Sequence, residues 1–211
     1  MSFRYFCISL FFLVYGQVWA AEVALVMSVQ GKVTRLAEAA PVPVEGFVKL
    51  NEGDKLILDK DSRLQLLYFD NGRLETWSGT CRLEMTLREG KASGLPAAEV
   101  KSVPMVMARQ IARTPALDGQ NRGGVTRLRS VPSQDAMARL EDTYQDLRNR
   151  AARDDLGPEM YLLSGLFEIR ELERVERVLG DLQQDRPKNP EVALLVALYK
   201  KAIKSSRESK K

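Results

Sequence analysis

Along residues 23–110, apolar and polar positions alternate in short runs broken by turn residues, the pattern of an all-β sandwich, roll or barrel. Val23, Leu25, Met27 and Val29 share one face of the first run, and Gly31 follows where a bulge or tight bend fits. Glu52-Gly53-Asp54 and Asp59-Lys60-Asp61-Ser62 bracket a strand over residues 55–58. Residues 63–69 carry apolar side chains on both faces, Leu64, Leu66 and Tyr68 on one and Leu67 and Phe69 on the other, which marks a central strand. Asp70-Asn71-Gly72 is the strongest turn signal. Asn and Gly accept the positive φ of a two-residue hairpin, so Phe69 and Arg73 are expected to begin paired antiparallel strands. Cys81, Leu83, Met85 and Leu87 alternate with Arg82, Glu84, Thr86 and Arg88 as in a half-buried strand. After a turn near residues 90–96, the spacing of Val103, Met105 and Met107 predicts one more strand.

Residues 114–133 show no period and are rich in Gly, Pro, Asn, Ser and Arg, which reads as a linker. Its Asn121-Arg122-Gly123-Gly124 lacks the Gly-Lys-Ser/Thr of a phosphate loop. Beyond it the period becomes helical. Ser133 can cap a helix with Met137, Leu140, Tyr144 and Leu147 on one stripe and Arg139, Glu141, Asp142, Asp146 and Arg148 facing water. Asp154-Asp155 and Gly157-Pro158 break that helix, and Pro158 suits the first turn of the next. A third amphipathic run with Leu172, Val175, Val178, Leu179 and Leu182 ends at Arg186-Pro187. The last helix, residues 192–203, is apolar on most sides. It must be packed by the others or cover a partner, in which case Val192, Leu195 and Tyr199 are the candidate contacts.

The fold class expected is therefore α+β: an N-terminal all-β sandwich or roll over residues 21–113, a linker over 114–133, a small helical bundle over 134–204 and a basic tail over 205–211. Residues 1–20 read as a secretory signal peptide. Arg4 supplies the charge, residues 5–15 the apolar stretch, and Val18-Trp19-Ala20 the small-residue pattern for cleavage after Ala20. The apolar run breaks at Gly16-Gln17, short of the roughly 20 residues a membrane span needs, and no later segment is long and apolar enough to be one. The expected location is the periplasm or the exterior.

Composition narrows the chemistry. With 32 basic and 28 acidic residues over the whole chain, charge is nearly balanced, and a nucleic-acid partner is not expected. Basic groups gather in residues 101–129 and 200–211, as solvated segments or as contacts for an anionic envelope polymer. Cys7 leaves with the leader, so Cys81 has no internal partner and reads as a buried inert thiol, or else as one open to intermolecular pairing or reaction. The chain has no histidine, which removes histidine-based hydrolase triads and the usual His/Cys zinc sites. Asp54, Asp59, Asp61 and Asp70 sit at turns that explain them, and the lysine within Asp59-Lys60-Asp61 opposes calcium. No catalytic residue, metal or cofactor is expected. Tyr68, Arg73 and Trp77 are candidate ligand or partner contacts, because Arg73, Glu75 and Trp77 share a strand face; Trp77 is then either an exposed aromatic in a shallow sugar or peptide site or a rim residue of the core.

Two resemblances add to this. Val29-Gln30-Gly31-Lys32-Val33, Leu50-Asn51-Glu52-Gly53-Asp54-Lys55-Leu56 and the strand ending in Asp70-Asn71-Gly72 resemble the FecR-type periplasmic domain over residues 26–85. The resemblance implies a β-rich envelope module for binding or assembly, with no catalytic residues to carry over. Sensor regulators of that family add a transmembrane helix and a cytoplasmic segment, which this sequence does not carry, so direct transmembrane signalling is not implied. Residues 157–203, with Pro187 and Asn189-Pro190 closing a helical pair, resemble tetratricopeptide-like hairpins, though Val175 and Leu182 stand where alanine is usual. The expectation is a noncatalytic envelope scaffold with a protein partner, or else a protein that binds or processes wall glycan such as peptidoglycan through carboxylates.

Overall fold

One strand, β1 (Glu22–Gln30), belongs to two hydrophobic cores at once and sets the architecture. The computed structural model describes residues 21–37, 40–93, 97–115 and 134–208. The expected signal peptide, most of the expected linker and the capping role of Ser133 lie outside the described residues.

The strands are β2 (Val33–Leu36), β3 (Val42–Pro43), β4 (Lys49–Asn51), β5 (Lys55–Leu58), β6 (Arg63–Tyr68), β7 (Arg73–Ser78), β8 (Cys81–Met85), β9 (Gly90–Ser93) and β10 (Glu99–Ser102). They form two five-stranded antiparallel sheets, β10-β7-β6-β1-β4 (sheet A) and β3-β2-β5-β8-β9 (sheet B). The helices are α1 (Met105–Ile111), α2 (Gln134–Arg150), α3 (Gly157–Glu168), α4 (Leu172–Asp185) and α5 (Pro190–Glu208). The α+β class with an N-terminal β domain is thus observed, and among the described residues no helix is long and apolar enough to cross a membrane.

Sheet A is covered on both sides. Its inner face meets sheet B over Ala24, Val26, Leu64, Leu66, Tyr68 and Trp77, opposite Leu56, Leu58, Cys81, Leu83 and Met85. Its outer face, through Leu25, Met27 and Leu67, joins Phe47 and the helices in the second core. This explains the apolar residues on both faces of β6, the central strand anticipated from the sequence.

β1 departs from simple alternation. Its pairing with β6 slips between Val26↔Leu66 and Ser28↔Gln65, a β-bulge that places Val29 with the sandwich core and leaves Leu25 and Met27 facing the helices. Val23 also packs in the sandwich core, next to a second irregularity against β4. The single face expected for Val23, Leu25, Met27 and Val29 is therefore split in two.

Gly31 turns the chain at φ 74°, and an added Cβ would lie 2.8 Å from the Asp61 carbonyl oxygen. The β6–β7 hairpin forms, with Leu67 opposite Leu74, but only Gly72 takes positive φ (66°). The Gly72 N–H donates to the Tyr68 carbonyl, and the Asn71 side chain accepts from the Arg73 N–H, so Asn71 acts through its side chain.

Two further expectations are corrected. Residues 90–93 form β9 by pairing with β8, where a turn was anticipated. Residues 105–111 form helix α1 and not a strand. The alternation of Val103, Met105 and Met107 misleads because Met107, Ala108 and Ile111 bury together at helical spacing. Its composition also favours a helix: Met105, Met107, Ala108, Arg109 and Gln110 outnumber the β-branched Val106 and Ile111.

In the helical half, Leu140 and Leu147 of α2 are buried and Met137 and Tyr144 half-buried, as the stripe predicts. Pro158 stands in the first turn of α3. α3 is buried almost all round because it lies between α1, α2 and α4. Gly165 lets α2 approach closely: a Cβ there would meet three atoms of the Leu140 side chain, the nearest at 2.4 Å. Arg148 is drawn inward from the water-facing position expected for it, donating to the buried Glu159 and to the Asp155 carbonyl.

Candidate functional site

The residues singled out from the sequence divide between the two cores. Glu75 of β7 is fully buried, and it gathers its neighbours. The Trp77 indole N–H donates to Glu75 Oε2 at 3.0 Å, the Gly90 N–H donates to the same oxygen at 3.0 Å, and Arg73 Nε donates to Oε1 at 2.6 Å. Tyr68 lies beside this group with its hydroxyl 3.7 Å from the Met85 sulfur. Burial, and then the negative charge of Glu75, push the Tyr68 hydroxyl well above the ordinary phenol range. The hydrogen bond to Glu75 raises Arg73 still further above its already high value. Tyr68, Arg73 and Trp77 are thus brought together, but Tyr68 and Trp77 are 0% and 4% exposed. They are core residues around a satisfied carboxylate, so the exposed-aromatic reading of Trp77 is corrected.

The second group is corrected in the same way. Val192, Leu195 and Tyr199 are 1%, 0% and 0% exposed, and the Tyr199 ring meets Phe167 edge to face at 5.8 Å. The buried hydroxyls of Tyr199 and Thr114 approach each other without a well-formed hydrogen bond, and burial raises the Tyr199 hydroxyl above its usual range. The apolar sides of α5 are satisfied within the chain. Cys81 is buried on the inner face of β8, where loss of water raises its thiol above the ordinary value.

A cleft of about 770 Å³ lies between the outer face of sheet A and the turns at the ends of the helices. The β wall is made by Ser28, Gln30, Gln65, Leu74 and Lys101, and the helical wall by Asp154, Asp155, Lys188 and Glu191, over a floor that includes Met27, Met107 and Met160. The bulge in β1 places Ser28 here, and Asn189 sets the opposite wall by accepting from the Glu191 and Val192 N–H groups at the start of α5.

Glu191 is the chemically distinctive group of the cleft. Partial burial raises its carboxyl above the ordinary range and the charge of Asp154 adds to this, while a hydrogen bond from Ser28 opposes it. Asp154 and Asp155 are exposed, and Asp155 Oδ1 is already used by the Gly157 N–H at 2.8 Å. The cleft thus holds one desolvated acid and not an opposed buried pair. No cluster of three or more His, Cys, Asp or Glu that could hold a metal occurs among the described residues.

Sequence reasoning missed this site because its walls come from residues far apart in the chain. The one legible signal was Asn189 ahead of Pro190-Glu191, which marks a helix start and so a place where a polar group would be held. No family model, curated protein or solved structure matches the chain.

Proposed function

We propose that this chain is an exported, noncatalytic binding module of the cell envelope that uses the cleft between sheet A and the helices to hold a protein segment or an envelope polymer. The observation that carries this reading is the cleft itself. It has an apolar floor and polar walls of both charge signs, the mixture suited to recognition. The two-sheet β domain agrees with what the FecR-type resemblance implies, and the helices supply the opposite wall of the cleft. The partner-binding role expected of α5 moves from its buried stripe to the residues at its start.

The test uses the whole chain from Ala21. Binding to purified peptidoglycan and capture of partners from envelope extracts are compared for wild type and Gln65→Trp, which fills the cleft from β6. Retention by wild type that is lost in Gln65→Trp supports the reading, and equal retention by both removes the cleft from it.

The alternative is glycan processing through carboxylates. It has one observation in its favour: Glu191 has the raised pKa of a general acid and lies near the exposed Asp154. Release of reducing ends from peptidoglycan by wild type, abolished in both Glu191→Gln and Asp154→Asn, would establish it. A lack of release leaves the binding reading in place.

A further inference from the structure

Strand β10 closes one edge of sheet A, and β7 is its only strand neighbour among the described residues. All four of its residues are exposed, Val100 at 44%. Such an edge presents backbone N–H and C=O groups able to pair with a further strand. Its sequence is Glu99-Val100-Lys101-Ser102. Glu99 and Lys101 project on one face and pair with each other at 3.2 Å, with side chains 57% and 69% exposed. An exposed pair of this kind contributes little and re-forms with another partner at small cost.

We infer that β10 pairs antiparallel with β10 of a second copy of this chain, about a two-fold axis through Val100. The occupant is set by charge. In that register Glu99 of each copy stands opposite Lys101 of the other, on one face, and the two Val100 side chains meet on the opposite face. Every contact is repeated by symmetry, as an isologous interface requires. The other edges lack this property. β3 has two residues, the central Leu50 of β4 is already buried with Lys49 held by Glu22, and β9 carries Lys91 with no acid to answer it.

A two-fold axis perpendicular to paired antiparallel strands keeps the same sheet face on the same side in both copies. Lys101 lines the cleft, so the dimer sets two clefts side by side on one surface. Four residues of strand bury far less than the roughly 800 Å² per partner of a standard interface, so the association is reversible and concentration-dependent. This inference does not rest on what the cleft binds.

Sedimentation equilibrium of the whole chain from Ala21 tests it, using wild type, Glu99→Lys, Lys101→Glu and an equimolar mixture of the two variants. Wild type is expected to dimerise, and each variant alone to associate about tenfold more weakly, because like charges then stand opposite each other twice. The mixture restores both ion pairs and should recover wild-type association, which also shows that both variants are folded. A wild type that stays monomeric at every concentration overturns the proposal. So do variants that associate as well as wild type, or a mixture that fails to recover.

Discussion

The Trp77 indole N–H points at the Glu75 carboxylate across 3.0 Å inside the β-sandwich, and both residues lie on β7. The same carboxylate accepts from Gly90 of sheet B, so it ties the two sheets at their β7–β9 end. Removing it leaves the Trp77 and Gly90 donors and the Arg73 guanidinium without their shared acceptor. Glu75→Ala is expected to destabilise the chain by about 3–5 kcal/mol. Urea unfolding followed by Trp77 fluorescence measures this, and a loss below about 1 kcal/mol would mean the network is not holding the sheets together.

The Glu191 carboxyl has its folded pKa raised above the ordinary value of 4.5 by burial. A raised carboxyl binds its proton more tightly in the folded state, so its contribution to stability is complete below pH 4.5 and is lost as pH rises through the folded value. Glu191→Gln removes that loss. The stability of the variant relative to wild type should therefore rise between acid and neutral pH, and a difference independent of pH would contradict the burial argument. Chemical unfolding of both proteins across that range provides the comparison.

Two helix glycines are predicted to respond in opposite directions. A Cβ at Gly180 of α4 meets nothing within 4 Å, so Gly180→Ala should stabilise by about 0.5–1 kcal/mol through the lower entropy of the unfolded chain. A Cβ at Gly165 of α3 would press on Leu140 at 2.4 Å. There overpacking of about 1–3 kcal/mol exceeds the helix gain, so Gly165→Ala should destabilise. Thermal melts of the two variants test the pair together.

Phe47 links the halves. It is fully buried among residues of sheet A and the helices, at a φ of 62° that a bulky side chain rarely adopts, and its N–H donates to the Val26 carbonyl at 2.7 Å. Phe47→Ala should cost about 3–5 kcal/mol. Because one core serves both halves, amide exchange should quicken in β6 and in α3 alike. Acceleration confined to the β residues would mean that the two halves unfold separately.

The β domain was legible where a local rule decides the outcome. β8 follows from its alternation, β5 from the turn residues that bracket it, β6 from its apolar residues on both faces, and the hairpin after β6 from Asp70-Asn71-Gly72. The helices followed from their stripes and from Pro158 and Pro187. What stayed hidden depends on contacts between distant residues. A period-2 reading of residues 103–107 could not anticipate that α1 would lie against α3, where helical spacing is rewarded. Trp77 beside two charged residues could be read as a surface contact or as a rim residue of the core, and the Gly90 N–H that answers the Glu75 carboxylate comes from the other sheet. The cleft was invisible for the same reason, since Ser28 and Glu191 lie far apart in the chain and meet only after folding.

The bulge in β1 also bears on how this chain tolerates change in its length. A substitution at Met27 or Ser28 alters one contact, and deleting either removes the bulge yet keeps Val29 in the sandwich, whereas inserting one residue between Ser28 and Val29 turns every later side chain of the strand to the opposite side. Val29 would then leave the sandwich for the cleft. Variants with a residue inserted at this point of the strand should accordingly be depleted in any library selected for a folded chain, even where substitutions at Met27 and Ser28 survive.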